Sequence, residues 1–477
     1  MGLEIVILAA GKGTRMNSDL PKVLHQVAGK PMLAHVIETA RMLSPNAIHV
    51  VVGHGAEQVK DTIQDDSINW CLQEKQLGTG HAVQQALPDI KDKQNALILY
   101  GDVPLLKKET LQQLINQLTS KHLVLLSAVL NDPTGYGRIV RENLEQTYSQ
   151  GEMQRNSNNT ADEKLNKVQA IVEQKDANAA TLKIKEINSG ILAAKAQELK
   201  EWLENINNKN AQQEYYLTDC IELAVQKGKK VEAIICQDEN EILGINDKQQ
   251  LAHVERLYQN RVANNLMNTG VTLIDPARID VRGNLSAGKD VSIDVNCVFI
   301  GDNELGDGVS VSANAVVINS QIKAGTTLHA NCHIENATIG EMCELGPFAR
   351  IRPDTELAKN VKVGNFVEIK KANIKTGSKI NHLSYIGDTE MGKQVNIGAG
   401  TITCNYDGAN KHRTVIGDNV FVGSDTQFIA PVKIGDGATI GAGSTITKDT
   451  PKEKLTLTRS KQITIDSWKR PGKNHEK

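Results

Sequence analysis

Through residue 246 the chain alternates two kinds of stretch. The runs EIVILAA (4–10), AIHVVVG (47–53), ALILYGD (96–102) and HLVLLSAVL (122–130) are apolar at successive positions, which predicts parallel strands buried on both faces. Among them MLAHVIETARML (32–43) repeats its apolar residues at helical spacing. That rhythm predicts an open α/β sheet of the Rossmann-like kind, with ligands at the carboxyl ends of its strands. One stretch departs from it. Residues 142–167, ENLEQTYSQGEMQRNSNNTADEKLNK, are polar and nearly free of aliphatics, and read as an exposed, mobile insertion.

The pattern changes after 246. Leu251, Val254, Tyr258, Val262 and Leu266 form a helical stripe with Gly270 just beyond it, predicting a helical connector over 247–269. A six-residue beat follows: Ile339, Leu345, Ile351, Leu357, Val363 and Ile369, then Ile416, Val422, Phe428, Ile434, Ile440 and Ile446. Glycine comes next at several beats, as in Ile339-Gly340 and Ile434-Gly435. A hexapeptide period is the signature of a parallel β-helix, here of the left-handed kind, in which each short strand sends one aliphatic inward and turns at a small residue. The chain therefore divides into an α/β domain (1–246), a helical linker (247–269) and a β-helix (270–477). The beat slips by one residue between Ile369 and Ile374 and between Ile386 and Met391. It breaks across CNYDGANKHRT, between Thr403 and Ile416. Loops that leave a solenoid wall are where binding is built.

Composition sharpens this picture. Aromatic residues are only 3% of the 477, and a solenoid core too narrow for rings explains their scarcity. A net charge of −2 excludes nucleic-acid binding by general basicity, so anionic ligands must be held by a few placed cations. The seven cysteines contain no CxxC pair, which suits free thiols in a reducing compartment. No apolar run approaches the roughly 18 residues of a membrane span, and no cationic region precedes LEIVILAA. A cytoplasmic location without membrane contact is expected.

Chemistry enters with VILAAGKGTRMNSDLPK (6–22), two glycines following a strand. It is neither a P-loop, lacking GxxxxGK[ST], nor a dinucleotide fingerprint, since Met16 stands where a third glycine belongs. A glycine pair alone reads equally well as a tight turn. Arg15 and Lys22 in the same segment favour a polyphosphate, which the two cations would neutralise.

This loop, together with QLGTGHA (76–82), YGDVPL (100–105), DPTGYGR (132–138), IVEQKDA (171–177) and EINSGIL (186–192), resembles the sugar-nucleotide pyrophosphorylases. With the hexapeptide half behind it, the chain resembles their bifunctional members, which acetylate glucosamine 1-phosphate and uridylylate the product to UDP-N-acetylglucosamine. The resemblance implies that Leu8, Ala9, Ala10 and Gly11 line the nucleotide with backbone groups. Gln73, Gly78 and Thr79 would read the uracil edge, and Tyr100, Gly101, Gly137, Glu173 and Asn188 would surround the sugar. Asp102 and Asn246 would hold Mg²⁺, and hard oxygen ligands suit that ion. Arg15 and Lys22 would then act electrostatically, because the attacking phosphate oxygen is already ionised and needs no base. Without the resemblance, Asp102 reads as a turn residue before Pro104. Asn246, ahead of a helix, reads first as its N-cap.

In the β-helix, FARIRP (348–353), NFVEIKKA (365–372), HLSYIGD (382–388) and NIGAGTITCNYDG (396–408) cluster polar residues where the beat is disturbed, Arg350 and Lys371 among them. Acetyl transfer from a thioester to an amine requires a base and a stabilised oxyanion. His382 is the natural base by its pKa range, although a lone histidine is more often structural. The resemblance implies that Arg352 and Lys370 grip the sugar phosphate while Tyr385 and Asn396 position the amino sugar. It also implies that Ala399, Asn405, Tyr406, Ser424, Ala442 and Arg459 receive acetyl-CoA, and that the enzyme is a homotrimer with acyl-donor sites between neighbouring helices. Two other readings stand beside it: a uridylyltransferase with a scaffolding β-helix, and a non-enzymatic sugar-nucleotide sensor.

Overall fold

The computed structural model describes residues 2–142 and 167–470. All but the two end residues of the polar insertion expected at 142–167 therefore lie outside the described residues. The chain forms two compact units, Met1–Tyr258 and Gln259–Lys477, and the division falls within the helix Lys248–Asn268.

The first unit is built on a nine-stranded sheet. In chain order its strands are β1 (Leu3–Ala9), β2 (Ala47–Val52), β3 (Ile68–Leu72), β4 (Asn95–Tyr100), β5 (Leu123–Val129), β6 (Arg138–Arg141), β7 (Val168–Val172), β8 (Glu186–Lys195) and β9 (Val231–Ile235). The order across the sheet is β9-β5-β8-β4-β1-β2-β3, with β6 pairing β8 and β7. All seven residues of β1 are buried, as an aliphatic run covered on both faces requires. β1, β2, β3 and β4 are mutually parallel. β8, which is not among the runs read as strands, lies antiparallel between β4 and β5, so β5 also points the same way as β4 and the four runs read as parallel strands are parallel. The apolar end of β8, Ile191–Ala194, is buried like the parallel strands beside it, so burial there specifies depth and not direction. The helix predicted from MLAHVIETARML is α1 (Met32–Arg41), followed by α2 (Ala56–Ile63) and α3 (Thr79–Ala86).

The connector stripe is observed over Lys248–Asn268, with Val254 and Leu266 buried. Gly270, at φ 99°, ends it: its N–H bonds Met267 O while Val271 N bonds Leu266 O, the paired bonds of a Schellman stop.

The second unit is the β-helix. One wall is an eleven-stranded parallel ladder from Thr272–Leu273 to Leu455–Thr456; the other strands form a fifteen-stranded sheet that folds around the remaining walls. Ile351, Ile369 and Ile386 stack in register and are fully buried, as are Leu345, Val363 and Ile380 on the ladder wall. Along that wall Thr327 pairs with Glu344 and Lys379 with Asn396, steps of one coil; Asn396 then pairs with Phe421, because CNYDGANKHRT leaves the wall between them. The two register slips have a simpler cause than a binding site. Lys371 and Asp388 occupy a tight left-handed corner that Asn319 and Asn336 make in earlier coils. Nor is the core closed to rings: Phe299 and Phe428 are buried within it, whereas Phe348, Phe366 and Phe421 are about half exposed.

Candidate active sites

The glycine loop leaves β1 at the carboxyl edge of the sheet. Gly13 has φ 61°, and a Cβ there would come 2.6 Å from Lys22 Cβ, so this glycine lets the loop fold against Lys22. A Cβ at Gly11 would meet nothing within 4 Å, leaving the approach to its backbone open. Lys22 Nζ forms an ion pair with Asp102 and donates to Asn246 Oδ1 at 3.1 Å. The 244–246 segment is brought there by Ile245 N–H, which donates to Asp102 O. Asp102 and Asn246 thus present two hard oxygens to one cationic atom, the donor set a divalent ion needs when phosphates complete its shell. Asn246 is not the N-cap that its position implied. Asp247 fills that role, accepting from Gln250 N–H at 2.8 Å, and the Asn246 side chain is turned to Lys22 instead. Arg15 is exposed, and its side chain forms no hydrogen bond or ion pair among the described residues.

Beside the loop, Leu8, Ala9 and Ala10 are buried, and Gly101 N–H bonds Leu8 O at 2.9 Å. Gly78, at φ 114°, opens α3, and a Cβ there would overlap Tyr215 O at 2.6 Å. Thr79 Oγ1 accepts from Leu217 N–H. Gln73 is buried; its Nε2 donates to Gly78 O at 3.2 Å and to His81 Nδ1 at 3.0 Å. A carbonyl can only accept, so the amide nitrogen must face Gly78 and His81 Nδ1 must carry a lone pair. Both amide hydrogens are then committed, and the Oε1 of Gln73 is left as an acceptor. Single-sequence reading missed His81, although it lies inside the quoted QLGTGHA.

Around the expected sugar pocket, Asn188 N–H bonds Gly137 O, and a Cβ on Gly137 would sit 3.2 Å from Glu173 Oε1. Burial raises the Glu173 carboxyl above its ordinary range, opposed by a hydrogen bond from Thr218. The β8 register shifts between Asn188 and Leu192, and in this irregularity Gly190, at φ 84°, makes room for the Tyr100 ring, whose nearest atom would lie 2.6 Å from an added Cβ. Burial, then Glu173 and Asp102, raise the Tyr100 hydroxyl far above its ordinary value, so it stays protonated.

In the β-helix, His382 pairs in register with Asn365, one coil earlier. Its Nδ1 bonds Asn365 Oδ1 at 3.0 Å. That oxygen only accepts, which puts the proton on Nδ1 and leaves the Nε2 lone pair free. Backbone bonds continue this corner upward: Gly400 N–H to His382 O, Asp425 N–H to Ala399 O, and Gly443 N–H to Ser424 O. His382, Ala399, Ser424 and Ala442 therefore stand in one column, one per coil. A Cβ on Gly441 would lie 3.8 Å from an Arg459 guanidinium nitrogen, which brings Arg459 to the column's top.

On the adjoining wall, Arg350, Glu368 and Tyr385 form an outward row, and Lys370 with Gly387 the next. Arg352 Nη1 bonds Glu368 Oε1 at 2.8 Å. Lys411, from the loop that leaves the wall, sits against Lys370 and lowers its pKa; burial and Arg352 act the same way and Asp388 opposes them. Three cations so close suit a dianionic phosphate. Asn405 Nδ2 donates to Asp388, while Tyr406 is exposed, its hydroxyl donating to Gly408 O. Asn396 lies on the ladder wall between Lys379 and Phe421, and among the described residues no hydrogen bond or ion pair joins it to Lys370 or Tyr385. Asn365, Glu368 and Lys411 were missed. The coil-length separation of Asn365 from His382 was the available signal.

A glycine loop over a cation–carboxylate centre, followed by a histidine at the foot of a β-helix column, defines a nucleotidyltransferase joined to a hexapeptide acyltransferase. Comparison with known proteins agrees. Residues 5–163 match the MobA-like NTP transferase domain family, and residues 336–371 and 413–448 match the bacterial transferase hexapeptide (six repeats) family. The bifunctional protein GlmU of Cupriavidus pinatubonensis is 53% identical over 471 residues, and that of Ralstonia pickettii likewise; in each case 99% of both chains is covered. A nucleotidyl transferase of Methanothermobacter thermautotroptrophicus covers 55% of this chain and 99% of its own at 14% identity and TM-score 0.38, a likeness too distant to bear on function. The chain belongs to the family of the bifunctional protein GlmU. It is a uridylyltransferase and an acetyltransferase that produces UDP-N-acetylglucosamine, and its nucleotidyl-transfer site calls for a divalent metal. Among the described residues no helix is long and apolar enough to cross a membrane.

Proposed function

We propose the following division of labour. In the β-helix, His382 Nε2 takes the proton from the glucosamine 1-phosphate amine as it attacks the thioester of acetyl-CoA. The C–N bond forms, the C–S bond breaks, and the proton taken up by His382 passes to the departing sulfur, so that CoA leaves as its thiol. Arg352 and Lys370, with Lys411, hold the sugar phosphate, and Tyr385 and Asn396 orient the amino sugar. Ala399, Asn405, Tyr406, Ser424, Ala442 and Arg459 receive the acyl donor.

In the α/β unit, the phosphate oxygen of N-acetylglucosamine 1-phosphate attacks the α-phosphorus of UTP and pyrophosphate leaves. Lys22 and Arg15 lower the repulsion between the two anions. Leu8, Ala9, Ala10 and Gly11 line the nucleotide; Gln73, Gly78 and Thr79 meet the uracil; Tyr100, Gly101, Gly137, Glu173 and Asn188 enclose the sugar. Asp102 and Asn246 would hold Mg²⁺, which supplies charge neutralisation to the phosphates when bound. We place both reactions in the cytoplasm, consistent with seven free thiols.

The working form is a homotrimer. Asn396 stands on a different wall from Lys370 and Tyr385, and a second copy could complete the site. The stacked, exposed rings of Phe348 and Phe366, 5.2 Å between centroids, with exposed Leu383 beside His382, offer an apolar stripe for that packing.

One observation favours two active sites over a scaffolding β-helix: His382 is held with Nε2 free at the foot of the column of Ala399, Ser424 and Ala442. The test is His382→Ala, assayed for both half-reactions. The expected result is loss of CoA release with pyrophosphate release retained; persistent acetylation would remove His382 from its role.

A further inference from the structure

None of Glu4, His49, Cys71 and Asp89 is assigned to the nucleotide, the sugar or the acyl donor, yet they meet on one face of the first unit's sheet. Val6 pairs with His49 and Val51 with Cys71, so alternation along the strands puts Glu4, His49 and Cys71 on the same side. Asp89 arrives from the turn Leu87–Asp89 and is exposed. Glu4 and His49 are buried, at 2% and 0% exposure, and His49 Nε2 bonds Glu4 Oε2 at 2.7 Å. The other ring nitrogen, Nδ1, is buried and has no hydrogen-bond partner. One ligand atom each from His49, Cys71 and Asp89 lies within 4.8 Å of the other two, the one such grouping among the described residues.

We propose that His49, Cys71 and Asp89 form a binding site for a zinc-class transition-metal ion, separate from the centre at Asp102 and Asn246. The Glu4–His49 pair accounts for Nε2 but leaves Nδ1 unsatisfied, and an unsatisfied buried polar atom costs about 1–3 kcal/mol. With Nε2–H donated to Glu4, Nδ1 carries the lone pair. A carboxylate bonded behind a metal-binding imidazole is the usual support for such a ligand. Nitrogen, sulfur and oxygen donors together select a borderline ion over Mg²⁺, which prefers oxygen alone. Three protein ligands leave a fourth position for water, and Asp89 at the surface provides the way in. Burial, then Asp89, push the Cys71 thiol up to about 11, so binding must displace its proton. The ion would tie β2, β3 and the Leu87–Asp89 turn together, a structural role.

The test titrates the full-length, chelator-treated protein with Co²⁺. One ion per chain should give a thiolate-to-cobalt charge-transfer band that Zn²⁺ removes. Cys71→Val should abolish the band while keeping both transferase rates and the metal-free melting midpoint, which shows that it folds. Glu4→Gln should keep the band and weaken Co²⁺ binding about 10- to 100-fold, and Asp89→Asn should weaken it at least as much. Zn²⁺ should raise the melting midpoint of the wild type but not of Cys71→Val. Absence of the band at stoichiometric Co²⁺, its survival in Cys71→Val, or unchanged binding in Asp89→Asn would overturn the proposal.

Discussion

Asn365→Ala isolates the device that prepares His382. The substitution removes the one oxygen that holds the proton on Nδ1, 3.0 Å away, and leaves the imidazole, the column and the cation cluster in place. A hydrogen bond between neutral partners contributes about 0.5–1.5 kcal/mol net. Spent on selecting the tautomer and ring orientation, that corresponds to roughly a 2- to 13-fold loss of acetyl transfer. Removing the base itself, in His382→Ala, should cost about 10²–10⁴-fold. The two variants must therefore differ clearly in kcat for CoA release, with pyrophosphate release from the same preparations unchanged. Asn365→Asp restores the acceptor and, because a carboxylate stabilises imidazolium, should move the acid limb of the pH–rate profile to higher pH. An Asn365→Ala variant as slow as His382→Ala, or as fast as wild type, would refute the reasoning.

Three further outcomes are expected. Gly13→Ala forces a Cβ to within 2.6 Å of Lys22 Cβ in a left-handed conformation; it should lower uridylyl transfer at least about tenfold with acetyl transfer intact, and equal losses in both assays would contradict this. His81→Leu frees the amide of Gln73 to rotate, so the preference for UTP over CTP should fall roughly 2- to 13-fold, the worth of one hydrogen bond; competition between the two nucleotides measures it. Burial, then Glu222, Glu173 and Asp176, raise the Asp219 carboxyl from 3.8 to about 6. The folded chain then keeps a proton the unfolded chain has released, and this group's contribution to stability is lost as pH rises from about 4 to about 6. Asp219→Asn should accordingly gain urea resistance over wild type progressively across that window and hold the gain above it; a pH-independent difference would contradict the assignment.

Much of the architecture was legible in the chain. The six-residue beat specified a solenoid because each strand contributes a single inward side chain, so period and fold are nearly the same statement. The glycine pair with Lys22 marked the first centre. Other features were hidden. The direction of β8 could not be read, because a strand buried on both faces looks the same whichever way it runs. The cap at Asp247 and the turning of Asn246 to Lys22 could not be distinguished either, since adjacent polar residues compete for one role and only the partner across the fold decides between them. The slips at Lys371 and Asp388 looked special in sequence and proved to be ordinary corners.

By itself, the sequence determined the alternation of buried strands and helices, the helical connector ended by Gly270, and the coil-by-coil stacking of Ile, Leu and Val; these follow from local periodicity and backbone sterics. Only the tertiary structure decided which distant groups share a proton or a cation. Examples are Asn365 with His382, His81 with Gln73, Lys22 with Asp102 and Asn246, and Glu4 with His49 beside Cys71 and Asp89. Such pairings depend on register between strands and coils and on which lone pairs remain unsatisfied after folding, and one-dimensional spacing carries neither.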